Sequence, residues 1–150
     1  DNLMFGCPDA TEEQIEEALV ISQAKEFVDT KEGRLDAVVE QGGKNLSGGQ
    51  RQRLTLARAL VPQSDILIMD DSASALDYAT DAKLRKAIQN MKRKPTVFIV
   101  SQRTSSIQDA DSILVLDDGK IAGKGTHEEL IASCDIYREI YETQFKKEEA

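Results

Sequence analysis

Two short apolar segments in the middle of the chain constrain its fold more than any other feature. Residues 66–69 are continuously apolar and lead into Asp70 and Asp71, and residues 96–100 are apolar after an initial threonine. Uninterrupted runs of this length are typical of strands buried on both faces of a parallel sheet. A helical pattern over residues 79–91 lies between them. We therefore predict a strand–helix–strand unit and an α/β fold class.

The C-terminal third predicts further regular structure. Residues 112–116 have the pattern of a third buried strand, and residues 117–120 predict a hairpin turn into a short following strand. Thr126 is expected to cap a helix, and residues 136–145 predict an amphipathic terminal helix. We expect residues 146–150 to be frayed.

The first third of the chain predicts helices rather than strands. Thr11 and Gln14 have the spacing of a capping box, and apolar residues recur at helical intervals over residues 15–24. A second short helix is expected through residues 27–28. Residues 31–44, which are rich in glycine and charge, predict a loop with one short strand.

A third helix in this region is expected to begin near Ser47 and to end at Pro62. This places a helical subdomain before the α/β portion of the chain. We therefore predict two domains, residues 1–62 and residues 63–150.

The composition excludes several classes of protein. The 150 residues carry 19 Lys+Arg and 27 Asp+Glu, for a formal net charge of −8, which argues against binding nucleic acid through bulk positive charge. No apolar run approaches the ~20 residues that a membrane-spanning helix needs. Cys7 and Cys134 are far apart and form no CxxC pair, so the sequence favours unpaired thiols over a structural disulfide. The chain has neither a signal peptide nor an initiating Met, so we expect a piece of a longer polypeptide.

The most specific motif lies at the predicted start of the third helix. Glycines without a Cβ let the backbone approach a ligand, and a helix start offers unpaired N–H groups and the positive end of the helix dipole. A serine adds a hydroxyl donor, and the basic stretch Arg51-Gln52-Arg53 follows. These features predict a binding site for an anion such as a terminal phosphate. The motif consists of Leu46, Ser47, Gly48, Gly49 and Gln50.

A second motif follows the first predicted strand. A carboxylate at the carboxyl end of a parallel strand points toward the ligand crevice of an α/β sheet, so Asp70 is a candidate ligand of Mg²⁺. Asp71 could place a base against an attacking water, or it could only cap the turn that follows. The same turn continues through Ser74, Ala75, Leu76 and Asp77.

These motifs, in this order, resemble those of the nucleotide-binding domain of an ABC transporter of the exporter type. Residues 46–50 match the signature motif, residues 66–70 the Walker B strand, and residues 74–77 the D-loop. Residues 39–43 resemble the X-loop, in which Glu40 would face the coupling helices of the membrane domains. The resemblance implies a P-loop NTPase-like ATPase core, a parallel sheet with flanking helices, and an α-helical signature subdomain.

The resemblance also implies roles for individual residues. ATP would lie between two domains, with Ser47 and the N–H groups of Gly48 and Gly49 contacting the γ-phosphate held by the other domain. Asp70 would bind the Mg²⁺ of the chain's own nucleotide, and Asp77 would take part in signalling between the two sites. ATP and Mg²⁺ are thus the expected cofactors.

The sequence departs from the family pattern in three places. No GxxxxGK(S/T) motif is present, so we expect the domain to be truncated at its N-terminus and the isolated chain to bind and hydrolyse negligible ATP. The usual catalytic glutamate is Asp71, and the usual switch histidine is Gln102. A shorter carboxylate and a side chain that cannot carry a proton predict a hydrolytically weakened, degenerate site in a heterodimeric exporter of the multidrug or lipid type.

The expected partners are a second nucleotide-binding domain, from a different subunit, and the transmembrane domains of the exporter. No nucleic-acid partner and no direct insertion of this chain into a membrane are expected. The resemblance places the chain at the cytoplasmic face of the plasma (inner) membrane. The sequence leaves open a regulatory subunit that binds ATP without hydrolysing it. A phosphorelay receiver domain is disfavoured because it leaves the motif at residues 46–50 unexplained.

Overall fold

The computed structural model describes residues 1–145, which contain helices and strands in the order expected of an α/β protein. Its α-helices are α1 (Glu12–Ile21), α2 (Lys25–Asp29), α3 (Gly48–Leu60), α4 (Tyr78–Gln89), α5 (His127–Ser133) and α6 (Asp135–Phe145). Its strands are β1 (Ile66–Asp70), β2 (Thr96–Val100), β3 (Ile113–Asp117) and β4 (Lys120–Gly125). The predicted α/β class with a parallel sheet and flanking helices is confirmed.

The chain divides into two compact units, the first being Asp1–Val100 and the second beginning at Ser101. This boundary differs from the predicted division into residues 1–62 and 63–150. The reason is that α1 and α4 share one apolar core with β1, so the helical region and the first strands form one unit. The predicted division into a helical subdomain and an α/β portion stays a prediction.

In the first unit, β1 and β2 pair in parallel, with Ile66 opposite Thr96. Residues at alternate positions of a strand point to opposite faces. One face packs against α1, α3 and α4 in an apolar core. The core residues are Ala18, Ile21, Leu56, Leu60, Val61, Leu67, Met69, Leu76, Leu84 and Ile88.

The other face of this sheet is exposed, which corrects the expectation that both strands are buried on both faces. Ile66 and Ile68 are 57% and 68% exposed, and Phe98 and Val100 on the neighbouring strand are 56% and 58% exposed. The continuous apolar pattern is real, but the helices of this unit pack on one face only.

The segment before α3 also differs from expectation. Between residues 31 and 44 the structure has two short 3₁₀ turns, Arg34–Asp36 and Gln41–Gly43, and no strand. The predicted starts of α1 and α3 are confirmed, since Thr11 and Ser47 each form a capping box. Within residues 1–145, no helix is both long and apolar enough to cross a lipid bilayer.

The second unit is a hairpin packed on two helices. Strands β3 and β4 are antiparallel, and the turn between them places Asp118 and Gly119 in the left-handed region with φ of 45° and 74°. The apolar core consists of Ile113, Val115, Leu130, Cys134 and Tyr137. The hairpin and the Thr126 cap are as predicted. Cys7 and Cys134 are free thiols. The frayed end predicted for residues 146–150 lies outside the described residues.

Candidate functional site

The first turn of α3 presents a set of hydrogen-bond donors. Ser47 is the N-cap, and its Oγ accepts a hydrogen bond from the backbone N–H of Gln50 at 3.2 Å. The Gln50 side chain closes the capping box, since its Oε1 accepts from the backbone N–H of Ser47 at 3.0 Å. The Ser47 hydroxyl proton thus stays available for donation. The N–H groups of Gly48 and Gly49 precede the first intrahelical donor and have no acceptor within the helix.

The loop before α3 is held from both sides. The Nη1 atom of Arg51 donates to the carbonyl of Leu46 at 2.7 Å and to that of Gly43 at 3.3 Å. Asn45 donates from Nδ2 to the carbonyl of Val38 at 2.8 Å and accepts from the Glu40 N–H at 3.2 Å. Glu40 therefore lies on a loop tied directly to the segment that leads into the helix, with its side chain exposed.

The acidic pair lies where β1 ends. Asp71 has a left-handed backbone, with φ of 48°, which is uncommon for a residue other than glycine. Its N–H donates to the carbonyl of Val100 at 3.0 Å, so the turn is anchored to the end of β2. Both Asp70 and Asp71 are exposed. Their carboxylates are free to meet a ligand that approaches this edge of the sheet.

The acidic pair offers two neighbouring carboxylates to a metal ion. Residues 1–145 contain no cluster of three or more histidine, cysteine or acidic side chains that could hold a metal ion. Mg²⁺ is usually bound by one or two carboxylates together with waters and substrate phosphates. Asp70 and Asp71 therefore fit a Mg²⁺ that arrives with a nucleotide.

The loop after the acidic pair packs against the start of α3. A Cβ placed on Gly49 would lie 3.2 Å from the carbonyl oxygen of Ala75, and one placed on Gly48 would lie 3.7 Å from the Ala75 Cβ. Gln52 bonds the same loop, with its Nε2 donating to Ser74 Oγ at 2.9 Å. The sequence pattern predicts that the glycines admit a ligand, which stays a prediction, and the structure shows that they admit this loop.

Two residues of the loop are engaged by the fold itself. Leu76 is buried in the core of the first unit. Asp77 caps α4, because its carboxylate accepts from the backbone N–H of Thr80 at 2.9 Å and from the Thr80 hydroxyl at 2.8 Å. These hydrogen bonds hold the pKa of the Asp77 carboxyl below its ordinary value. The capping role is independent of the signalling role predicted for Asp77, which stays a prediction.

Gln102 belongs to the second unit, whereas the other candidate residues belong to the first. Its side chain is exposed, and its backbone carbonyl accepts from Gln144 Nε2 at 2.5 Å. The Oε1 atom of Gln144 accepts from the N–H and hydroxyl of Thr104 at 2.9 and 3.0 Å. The segment that carries Gln102 is therefore held by α6.

The structure thus brings together the helix start at residues 46–50, Asp71 and the loop at residues 74–76 within one unit. Sequence reasoning missed Asn45, and it treated Gln52 only as part of a basic stretch. Asn45 and Gln52 form hydrogen bonds with residues that no local sequence pattern identifies as their partners. The one available indication was the position of Gln52, four residues after Gly48 and so on the same side of the helix.

Comparison with known proteins assigns this arrangement to a family. The family model described as ABC transporter matches residues 7–74, which include the helix start, β1 and the acidic pair. The solved structure of a bacterial Atm1-family ABC exporter with ATP bound matches 95% of the chain with a TM-score of 0.90 and 31% sequence identity. Over nearly its whole length, the chain is similar to ABC transporters.

Curated relatives of the chain include a flippase, an export protein and a probable multidrug resistance transporter. The ATP-dependent lipid A-core flippase of Shewanella frigidimarina is 40% identical over 148 residues, which are 98% of this chain and 25% of the flippase. The Beta-(1→2)glucan export ATP-binding/permease protein NdvA of Rhodopseudomonas palustris is 41% identical over the full chain and 25% of its own length. A probable multidrug resistance ABC transporter ATP-binding/permease protein, YheI of Bacillus subtilis, is 41% identical over 96% of this chain and 25% of its own length.

The chain therefore spans about a quarter of the length of these relatives, and it covers 25% of the matched exporter structure. The family resemblance inferred from residues 46–50, 66–70 and 74–77 is confirmed. The roles of the individual site residues stay predictions.

Proposed function

We propose that this chain works within an ABC exporter, as part of a nucleotide-binding domain that binds ATP at a dimer interface and couples its hydrolysis to export. The observation that carries the proposal is the first turn of α3. There the Ser47 hydroxyl and the N–H groups of Gly48 and Gly49 form one cluster of donors, beside a loop that follows two exposed carboxylates. Such a cluster suits the terminal phosphate of a nucleotide.

The two parts of the site would serve two different nucleotides. Ser47, Gly48 and Gly49 would donate to the γ-phosphate of the ATP held by a second nucleotide-binding domain. Asp70 would bind the Mg²⁺ of the chain's own ATP, and Asp71 would orient the attacking water. Bound Mg²⁺ neutralises charge that develops on the phosphates. Leu46 and Gln50 would support this arrangement through core packing and the capping box.

The chain's own site is proposed to be degenerate. Asp71 is one methylene shorter than the glutamate of the family pattern, and Gln102 cannot accept and carry a proton as a histidine does. The second domain would then come from a different subunit, whose competent site this chain's signature motif completes. The second candidate is a regulatory subunit that holds ATP without hydrolysing it. It rests on the same two residues.

The exposed loop that carries Glu40 is proposed to contact the transmembrane domains, at the cytoplasmic face of the plasma (inner) membrane. Its hydrogen bonds to Asn45 connect that contact to the helix start that meets ATP. The isolated chain, which contains no GxxxxGK(S/T) motif, is expected to show no ATP hydrolysis above a blank preparation.

The proposal is tested by ranking three substitutions in the assembled exporter. Ser47→Ala and Gly48→Asp remove or block donors to the competent site, and we expect turnover to fall by about tenfold or more. Asp71→Glu alters only the degenerate site, and we expect a change of less than about threefold. ATPase activity of the purified exporter in lipid is the measurement. The reverse ranking would overturn the assignment of the two sites.

The two candidates are separated by trapping nucleotide in each site individually. A degenerate but active site releases ADP over many turnovers, whereas a regulatory site retains ATP. Photolabelling with an ATP analogue, followed by identification of the labelled subunit and of the trapped nucleotide, distinguishes them.

A further inference from the structure

We propose that Gln52 is a positioning residue that fixes the loop of residues 71–75 to the start of α3, so that the two nucleotide sites served by this chain change together. The inference rests on the proposed function, because that function assigns the start of α3 to one nucleotide and Asp71 to the other. It concerns a residue that none of the motifs assigned above includes.

The first support is the number of contacts made by one side chain. The Nε2 atom of Gln52 donates to Ser74 Oγ at 2.9 Å and to the Asp71 carbonyl at 3.3 Å. Its Oε1 atom accepts from the backbone N–H of Ala75 at 2.9 Å. The Ser74 hydroxyl in turn donates to the Asp71 carbonyl at 3.0 Å. Gln52 therefore bonds the loop at three points and closes a small network with it.

The second support is the way α3 meets the loop. Gly48, Gly49 and Gln52 lie on one side of the helix, because residues three and four apart share a face. The two glycines allow Ala75 to approach closely, with its carbonyl 3.2 Å from the position of a Gly49 Cβ. Gln52 then holds the loop at this distance one turn further along the helix.

The amide group is the chemistry that the position requires. A glutamine side chain presents both a donor and an acceptor, and here both are used. A glutamate would keep the acceptor for the Ala75 N–H but would lose the donor for Ser74 and Asp71. An alanine would lose all three contacts.

Other contacts hold the far end of the loop. Leu76 is buried in the core and Asp77 caps α4, so the far end of the loop stays in place without Gln52. The near end includes the Asp71 carbonyl and the Ala75 N–H. Without Gln52, it would lose its hydrogen bonds to α3. A movement of the helix start on meeting ATP would then no longer reach Asp71.

The first experiment measures the hold of Gln52 on the loop of residues 71–75, which we call the clamp, in the complete exporter without ATP. Hydrogen–deuterium exchange is followed by mass spectrometry in the peptide that covers residues 71–77, for Gln52→Ala, Gln52→Glu and the control Thr55→Ala. Thr55 lies on the same helix, and its hydroxyl donates to the Arg51 carbonyl of that helix at 3.0 Å. We expect exchange at residues 71–77 to be about tenfold faster in Gln52→Ala. It should rise by a smaller factor in Gln52→Glu, which keeps the acceptor for the Ala75 N–H but loses both donor contacts, and it should be unchanged in Thr55→Ala.

The second experiment measures coupling. We expect Gln52→Ala to lower kcat by about tenfold while KM for ATP changes by less than about twofold, because the defect is one of positioning and not of binding. The Hill coefficient for ATP should fall toward one. Gln52→Glu should lie between Gln52→Ala and the unchanged protein, and Thr55→Ala should match the unchanged protein. Exchange in α4 peptides reports whether each variant is folded.

Unchanged exchange at residues 71–77 in Gln52→Ala would overturn the clamp. Faster exchange there with unchanged kcat and Hill coefficient would overturn its role in coupling. If Ser47→Ala and Gln52→Ala both leave turnover unchanged, the proposed function itself fails. If turnover falls in Ser47→Ala but not in Gln52→Ala, only the role of Gln52 is contradicted.

Discussion

At the scale of single residues, Arg51 shows how a charge near a predicted phosphate-binding site can serve the fold. It follows the signature motif directly, yet its Nη1 atom donates to the carbonyls of Leu46 and Gly43. Gly43 has a left-handed backbone with φ of 66°, and the side chain of Arg51 packs against it so closely that a Cβ built on Gly43 would lie 2.7 Å from Arg51 Cδ. Arg51 therefore sets the approach of the loop to α3.

This arrangement predicts a difference between two neighbouring glycines. Gly42 and Gly43 both have positive φ, so alanine at either position should cost about 1 kcal/mol from backbone strain alone. An alanine Cβ at Gly42 meets nothing within 4 Å, whereas one at Gly43 would lie 2.7 Å from Arg51 Cδ. We expect Gly43→Ala to be less stable than Gly42→Ala by about 1 kcal/mol, from the lost Arg51 hydrogen bonds.

Urea unfolding of the two variants provides the measurement. The comparison needs no assumption about the strain itself, because both variants carry it. Equal stabilities would show that Arg51 contributes nothing to the loop.

At the scale of elements, three helices begin with the same chemistry. Thr11 on α1, Ser47 on α3 and Thr126 on α5 each form a capping box with the residue three positions later. The same local geometry therefore serves one helix that is proposed to meet a nucleotide and two helices for which we propose no ligand. This repetition supplies a matched control for Ser47.

We expect Ser47→Ala and Thr11→Ala to lower the free energy of unfolding by a similar amount, about 1 kcal/mol each, because each removes an N-cap. Only Ser47→Ala should also lower the ATPase turnover of the assembled exporter. Chemical denaturation and steady-state turnover are measured for both variants. A loss of turnover as large in Thr11→Ala would mean that stability, and not a donor to phosphate, explains the effect at Ser47.

The elements predicted from local chemistry are the ones confirmed. The capping boxes, the apolar run of β1 and the turn at Asp118 all act over a few residues. The 3₁₀ turn Gln41–Gly43 could not be predicted in the same way, because the loop around it is held by Asn45, which bonds back to Val38 and Glu40. The contact of Gln52 with Ser74 spans 22 positions, and no pattern of spacing reveals it. In the candidate site, the helix start and the acidic pair could be predicted from the sequence. The hydrogen bonds of Gln52 that connect them could not.

At the scale of the whole molecule, the exposed face of the β1–β2 sheet is the largest departure from expectation. Four apolar residues, Ile66, Ile68, Phe98 and Val100, are each more than half exposed on two paired strands. An apolar patch of this kind on a sheet promotes association between molecules in water. The chain spans a quarter of its relatives' length, and we expect this face to be covered in a complete exporter.

The isolated chain should therefore self-associate through this face. We expect Phe98→Gln to lower the fluorescence of a bound hydrophobic dye by about half and to reduce light scattering at high concentration. Val38→Gln is the control, since Val38 is 79% exposed but lies outside the sheet. Equal effects of the two substitutions would show that exposed apolar side chains in general, and not this face, cause the association.

The left-handed turn at Asp71 has a consequence for how this position can be altered. Its N–H is hydrogen-bonded to the end of β2, and its carbonyl accepts from Ser74, so the main chain is held on both sides of the side chain. A glutamate at this position would begin from the same main-chain position as Asp71 and would differ from it only by one methylene group. The hydrogen bonds at position 71 thus fix where the side chain begins, and the number of its carbons alone decides how far the carboxylate extends from the turn.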